Sequence, residues 1–284
     1  MRLAAAPISW GVCEVPGWGL QLTAERVLAD ASRLGFTEIE LGPPGFLPVG
    51  RDAIARHRLR VIAAFVTAVL HQPERRDAEL ASVDEQARHL ASLGGEVLVL
   101  AAATGRDGYD VPASLGDDEW RSFFEMLPRV REIASRHGLR TTLHPHVGTA
   151  VETPDAIDRV LQDSDVPICL DTGHVFVGGG DPVRLARENA SRVAHVHLKD
   201  VDGGLAKDVR ERRLPYASAV ARGLFRPLGD GDARIAEVIS ALRDAGYDGW
   251  YVLEQDCALT AAPTEANDPV RDIARSRDFA RAHG

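Results

Sequence analysis

Short apolar runs alternate with longer amphipathic stretches along this chain, and the alternation repeats eight times. The runs at 3–8, 38–41, 61–65, 97–100, 141–144, 168–171, 193–197 and 250–254 have strand length and strand composition. Between and after them, apolar residues at helical spacing predict helices near 23–34, 50–57, 77–93, 117–137, 154–162, 182–189, 232–245 and 269–282. The boundaries are marked by turn chemistry. Gly35, Gly138 and Gly246 each stand between a helical stretch and a strand, where a left-handed residue closes the helix. Thr153-Pro154, Asp181-Pro182 and Asp268-Pro269 each place a capping side chain before a proline suited to a first helical turn. Strand followed by helix, eight times in one chain, predicts a (β/α)8 TIM barrel that occupies 1–284 as a single domain. The competing architecture is an open doubly wound sheet. Its usual mark is a glycine-rich phosphate loop after an early strand, and this sequence has none.

The pattern breaks once. Residues 201–231, between the seventh strand and its helix, are too long for an ordinary connection and end Phe225-Arg226-Pro227-Leu228-Gly229-Asp230-Gly231. A functional loop or lid is expected there, with a subunit contact as the alternative.

Composition narrows the class. The formal net charge is −9, without the basic stripe of a nucleic-acid binder. Lysine occurs only at Lys199 and Lys207, so Lys199, inside a strand pattern, is less ordinary than a surface lysine. Three separated cysteines, Cys13, Cys169 and Cys257, form no CxxC pair and suit a reducing compartment. The sequence shows neither a secretory leader nor an apolar run of membrane-spanning length, so a soluble cytoplasmic protein is expected.

The candidate chemistry centres on His195-Val196-His197-Leu198-Lys199-Asp200. Alternate residues of a strand share a face, so His195, His197 and Lys199 line up together. A barrel of this type places its site at the C-terminal ends of the strands. The ionisable residues there are Glu40, His144 with His146, Asp171 with His174, His197 with Lys199, and Glu254. Each follows aliphatic residues, where a charge is costly unless paired or bound to metal. Asp171, His197 and Glu254 make a mixed nitrogen and oxygen set suited to Mn²⁺, Co²⁺, Fe²⁺ or Zn²⁺, with Mg²⁺ as a further alternative. His195, deepest of the three on its face, is expected to be a core or supporting residue. Trp10 and Trp18 could stack on a sugar ring or simply close the barrel mouth. With Glu40 and Arg226 they are the candidate substrate-binding residues.

At these residues the chain resembles the xylose-isomerase-like barrel superfamily of sugar isomerases, epimerases and dehydratases, which also includes endonuclease IV. The motifs are Asp171-Thr172-Gly173-His174, His195 through Asp200, and Leu253-Glu254. Within it the chain is similar to the inosose dehydratase branch. That likeness rests on 6–11 with 14–19, on 40–48, on His144-Pro145-His146-Val147-Gly148-Thr149, and on 223–232. The resemblance implies a divalent metal and removal of water from 2-keto-myo-inositol. Most superfamily members carry a glutamate ligand at the end of strand 5; here His144 stands there, with His146 and Glu152 as rivals for that place.

The leading expectation is a metal-dependent lyase acting on a keto-polyol. Glu254 or Lys199 would remove the α-proton, and His146 or His174 would protonate the departing hydroxyl. His144, Asp171, His197 and Glu254 would bind the metal. The alternative is a sugar isomerase or epimerase working through an enediolate. A nuclease is disfavoured by the acidic charge. A non-catalytic sugar-binding barrel is disfavoured by the intact ligand set. A small-molecule polyol or sugar is the expected partner, without nucleic acid or membrane, and the resemblance makes a homo-oligomer a candidate assembly.

Overall fold

A computed structural model describes residues 1–284 except Pro48, Val49, Pro112 and Ala266. Pro48, the last residue of the 40–48 stretch, therefore lies outside the described residues. Eight parallel strands close into a barrel: β1 (Arg2–Ala5), β2 (Glu38–Glu40), β3 (Arg60–Ala68), β4 (Val97–Ala102), β5 (Arg140–Leu143), β6 (Ile168–Asp171), β7 (Val193–Leu198) and β8 (Trp250–Leu253). Each strand pairs with its sequence neighbours, and β8 pairs with β1 in the register Arg2↔Trp250 through Ala5↔Leu253. This is the TIM barrel that the alternating pattern predicts.

The strand faces follow from the period of two. Ala4, Ala6, Val97, Val99, Cys169, Trp250 and Val252 fill the barrel interior as a small separate cluster. Ala5, Ile39, Leu98, Leu100, Leu170, Val196, Leu198 and Leu253 join the larger core that also takes in the helices. Above the inner apolar layer, the same inward face carries the ionisable residues.

The helix caps hold as read. Thr153, Asp181 and Asp268 accept from backbone amides of their first turns, and Gly35, Gly138 and Gly246 have φ of 79°, 75° and 80°. Three elements differ from expectation. The first strand stops at Ala5 rather than residue 8, because Pro7 opens a short 3-10 turn, Pro7–Trp10, that Gly11 closes at φ 79°. A six-residue helix, Thr172–Val177, follows β6 directly, with Asp171 as its N-cap. The 201–231 insert is ordered. Asp200–Val201 pairs antiparallel with Phe225–Arg226, and helices Gly203–Arg210 and Tyr216–Ala221 lie between them.

Asp200 pins this insert. Its carboxylate, buried, accepts from the amides of Val201, Gly229, Gly231 and Ala233. The insert therefore returns to the barrel rim at a set point, with Tyr216 carried toward the cavity. Among the described residues no helix is long and apolar enough to cross a membrane.

Candidate active site

A cavity of about 270 Å³ opens at the C-terminal ends of the strands, lined by Glu40, His144, His146, His197, Lys199, Glu254 and Asp256, with Trp18, Phe65, Tyr109 and Tyr216 as aromatic walls. The strand registers put the charged residues together. Asp171 lies opposite His197 across the β6–β7 ladder, and Val252 lies opposite His197 across β7–β8, which brings Glu254 alongside.

His197 has two unlike sides. Its Nε2 is 3.2 Å from Glu40 Oε1, which also meets His195 Nε2 at 2.8 Å. Both Nε2 atoms therefore donate to one carboxylate. That choice of tautomer leaves Nδ1 of His197 facing the cavity side, 3.3 Å from Glu254 Oε2 and 3.5 Å from Asp171 Oδ2, buried and without a hydrogen bond. Ligand atoms of Asp171, His197 and Glu254 all lie within 4.8 Å of one another. An imidazole held by a carboxylate on one nitrogen and open on the other is the arrangement a metal-binding histidine takes.

Asp171 is used twice. Its Oδ1 accepts from the His174 amide at 2.7 Å, while Oδ2 meets His144 Nε2 at 3.3 Å and Lys199 Nζ at 3.4 Å. Lys199 is buried, and its Nζ lies 2.8 Å from Asp256, 2.9 Å from Glu254 and 3.1 Å from His174 Nε2. The ammonium is thus ion-paired with two carboxylates and packed against an imidazole. Thr172 fixes the lysine backbone: its hydroxyl accepts from Lys199 N and donates to Lys199 O, both at 2.8 Å. Gly173 makes room, since a Cβ there would lie 2.7 Å from Lys199 Cγ.

The charges do not balance. Glu40, Asp171 and Asp256 are buried carboxyls and Glu254 a part-buried one, and they share one buried ammonium. Burial opposes charge on all of them. Even so, His197 and Lys199 hold Glu254 down to about 2, and Lys199 and the neighbouring histidines hold Asp171 well below the usual range. Burial pulls His197 down, yet Cys169, Glu254, Glu40 and Asp171 leave it well above the ordinary value. The field thus favours positive charge at His197, and a divalent cation between Asp171, His197 and Glu254 fits both the donor set and the charge excess. Lys199 is raised well above its ordinary value, because Asp171, Asp256 and Glu254 outweigh burial. His146 goes the other way: burial, with His144 and Lys199 near, lowers it to about 3, so it is neutral. Its Nδ1 donates to the Val147 carbonyl at 2.7 Å, which leaves Nε2 with a free lone pair.

A profile of the xylose isomerase-like TIM barrel family matches residues 28–283. The chain belongs to that family. As a xylose isomerase-like barrel it is 31% identical to an inosose dehydratase of Geobacillus kaustophilus, over 93% of this chain and 91% of the relative. It is also 31% identical to the rhizopine catabolism protein MocC of Rhizobium meliloti, over 90% of this chain and 82% of that one. A solved structure of the IolI protein, with a bound zinc atom, superposes with a TM-score of 0.74 at 15% identity, covering 100% of this chain and 99% of its own.

Within the mouth of the barrel, the structure sorts the residues singled out from sequence. His144, His146, Asp171, His197, Lys199 and Glu254 come together. Glu40 and Trp18 line the cavity, but Glu40 is occupied by the two histidines. His174 lies beneath His146, ring centroids 3.7 Å apart, and does not line the cavity. Trp10 departs from expectation: it is fully buried and donates to Asp30 on helix Ala24–Arg33 at 3.3 Å, so it packs behind the barrel. Arg226 departs too. It pairs with Asp202 at 2.9 Å within the insert. Glu152, a rival for the strand-5 ligand, accepts from Gly148 N at 2.9 Å and lines a neighbouring groove instead.

Sequence reading missed Asp256, Tyr109 and Tyr216. Asp256 was visible two residues beyond Glu254, the spacing that returns a side chain to the same strand face. No sequence signal pointed to the tyrosines, which come from long loops.

Proposed function

We propose that this protein is a divalent-metal-dependent dehydratase acting on a keto-polyol such as 2-keto-myo-inositol. The observation that carries the reading is the open Nδ1 of His197, set between Asp171 and Glu254 beside the buried Lys199 ammonium. The inosose dehydratase relative supports the substrate class. Asp171, His197 and Glu254 would hold the metal, with His144 beside Asp171 as the fourth ligand. The nitrogen and oxygen donors favour Mn²⁺ or Co²⁺, and the bound ion would supply Lewis-acid stabilisation of negative charge at the ketone oxygen.

The chain's own groups then divide the proton work. Lys199 stays an ammonium, so it is an electrostatic partner for the developing oxyanion and not the base. Glu254 is taken up by His197 and Lys199 and by the metal it would hold. His146 is neutral and presents the free Nε2, so it takes the α-proton. The hydroxyl on the next carbon leaves as water, taking that proton back, and the net change is loss of one water. His174 supports both partners from below, under the His146 ring and against Lys199 Nζ.

The test is to load the protein with Mn²⁺ or Co²⁺, add 2-keto-myo-inositol and follow the absorbance of the dione. Metal-dependent formation of dione, abolished by chelation, is expected. No turnover with either metal overturns the reading for that substrate. Deuterium uptake into recovered ketose without loss of water would place the protein with the isomerases and epimerases.

A further inference from the structure

The insert brings Tyr216 to a corner of the cavity that the proton chemistry above does not use. Its hydroxyl donates to Asp256 Oδ2 at 3.1 Å, while Asp256 Oδ1 meets Lys199 Nζ at 2.8 Å. The corner is braced from three loops. The Tyr216 amide donates to Asp110 at 2.8 Å, Trp18 Nε1 donates to the Cys257 carbonyl at 3.0 Å, and the Tyr216 ring lies 5.1 Å from Tyr109 and 6.4 Å from Trp18.

Hydrogen accounting gives this corner one character. The phenol has spent its only hydrogen on Asp256 and keeps lone pairs. Asp256 Oδ2 accepts from the phenol, and Oδ1 faces the ammonium without a hydrogen bond, so both oxygens can still accept. Toward the cavity, then, the corner offers acceptors only. Lys199, the sole lysine or arginine lining the cavity among the described residues, is already ion-paired with Glu254 and Asp256. Glu14, Glu40, Glu254 and Asp256 line the same space. At this corner a phosphate ester would meet carboxylates whose nearest cation, Lys199, is already ion-paired with two of them. A hydroxyl group, which brings its own hydrogen, would be satisfied.

We propose that Asp256 and Tyr216 form a hydroxyl-selecting subsite that restricts the enzyme to unphosphorylated polyols by binding a hydroxyl remote from the ketone, with the ring face against Trp18 and Tyr109. The proposal rests on the keto-polyol reading but tests apart from it, because binding is measured without turnover. Calorimetry on the metal-loaded protein would compare myo-inositol, a monodeoxy-inositol series and an inositol monophosphate. Wild type is expected to bind myo-inositol, to bind one deoxy isomer more weakly, and to reject the phosphate ester. Tyr216→Phe keeps the ring and should weaken myo-inositol about five- to tenfold, while leaving that deoxy isomer unchanged. Asp256→Asn, which replaces an acceptor by a donor and removes a charge, should narrow the gap between myo-inositol and its phosphate. Equal loss of all ligands in Tyr216→Phe, no difference between Tyr216→Phe and wild type, no polyol binding, or tight binding of the phosphate ester to wild type would each overturn the proposal. Tyr216-dependent discrimination without dione formation would uphold it and overturn the lyase reading.

Discussion

The two ends of the barrel handle charge in opposite ways. At the N-terminal floor, Arg60 reaches Glu96 at 2.6 Å and Glu38 at 3.2 Å, Trp250 donates to Glu96 at 3.2 Å, and Arg2 lies 3.7 Å over the Trp250 ring. These arginines are nearly half exposed and face carboxylates they can pair with. At the mouth, four carboxyls, three of them buried and one part-buried, surround one ammonium. Exposed, matched pairs contribute little to stability. Buried, unmatched charge is destabilising for an isolated chain, and its presence points to a ligand that completes the set. The sign of the imbalance names the ligand as a cation.

The sharpest way to break this contrast is Asp171→Asn. The amide oxygen can still cap His174, so folding should be kept. Metal content should fall, and the dehydration rate with it by about a thousandfold, from lost Lewis-acid stabilisation worth several kcal/mol. Measured metal stoichiometry, rate and urea midpoint separate the outcomes; unchanged metal binding would remove Asp171 from the ligand set.

Asp200→Ala tests a mouth carboxylate that serves structure instead. It would leave the amides of Gly229, Gly231 and Ala233 without their acceptor and cost about 3 kcal/mol, read as a lower urea midpoint.

Glu40→Gln comes next. A neutral amide accepts less strongly from His197 Nε2, and metal affinity should drop about 10- to 100-fold with little change in fold. Titration with a competing chelator would show it.

The smallest effect belongs to the floor. Glu96→Gln should cost under about 1 kcal/mol and leave activity unchanged. Burial raises the Glu96 carboxyl, but Arg60 and Trp250 more than offset this, so it lies below the ordinary value. Its contribution is therefore present above the unfolded value of about 4.3 and is lost as pH falls through the lower folded value. Wild type and Glu96→Gln should converge in stability on the acid side.

What was legible in the sequence follows the same division. Strand periodicity located the barrel and the inward set Asp171, His197, Lys199 and Glu254, because period two and the strand-end rule act locally. Trp10 misled because composition cannot tell which side of a short turn faces the cavity; Pro7 and Gly11 turn it toward Asp30. Arg226 misled because its partner, Asp202, is set by a two-residue ribbon with no pattern of its own. Of the aromatic wall only Trp18 was legible, since Tyr109 and Tyr216 join it only after separate segments fold together.

Gly173 has a consequence that reaches beyond this chain. Its missing side chain and the stem of Lys199 share one small volume, 26 positions apart. The two residues are therefore expected to change together. Among related barrels, a side chain at the position of Gly173 should go with loss of the lysine, and a lysine there should always face a glycine. That pairing could sort relatives that keep the buried ammonium from those that dispense with it, using two letters of sequence.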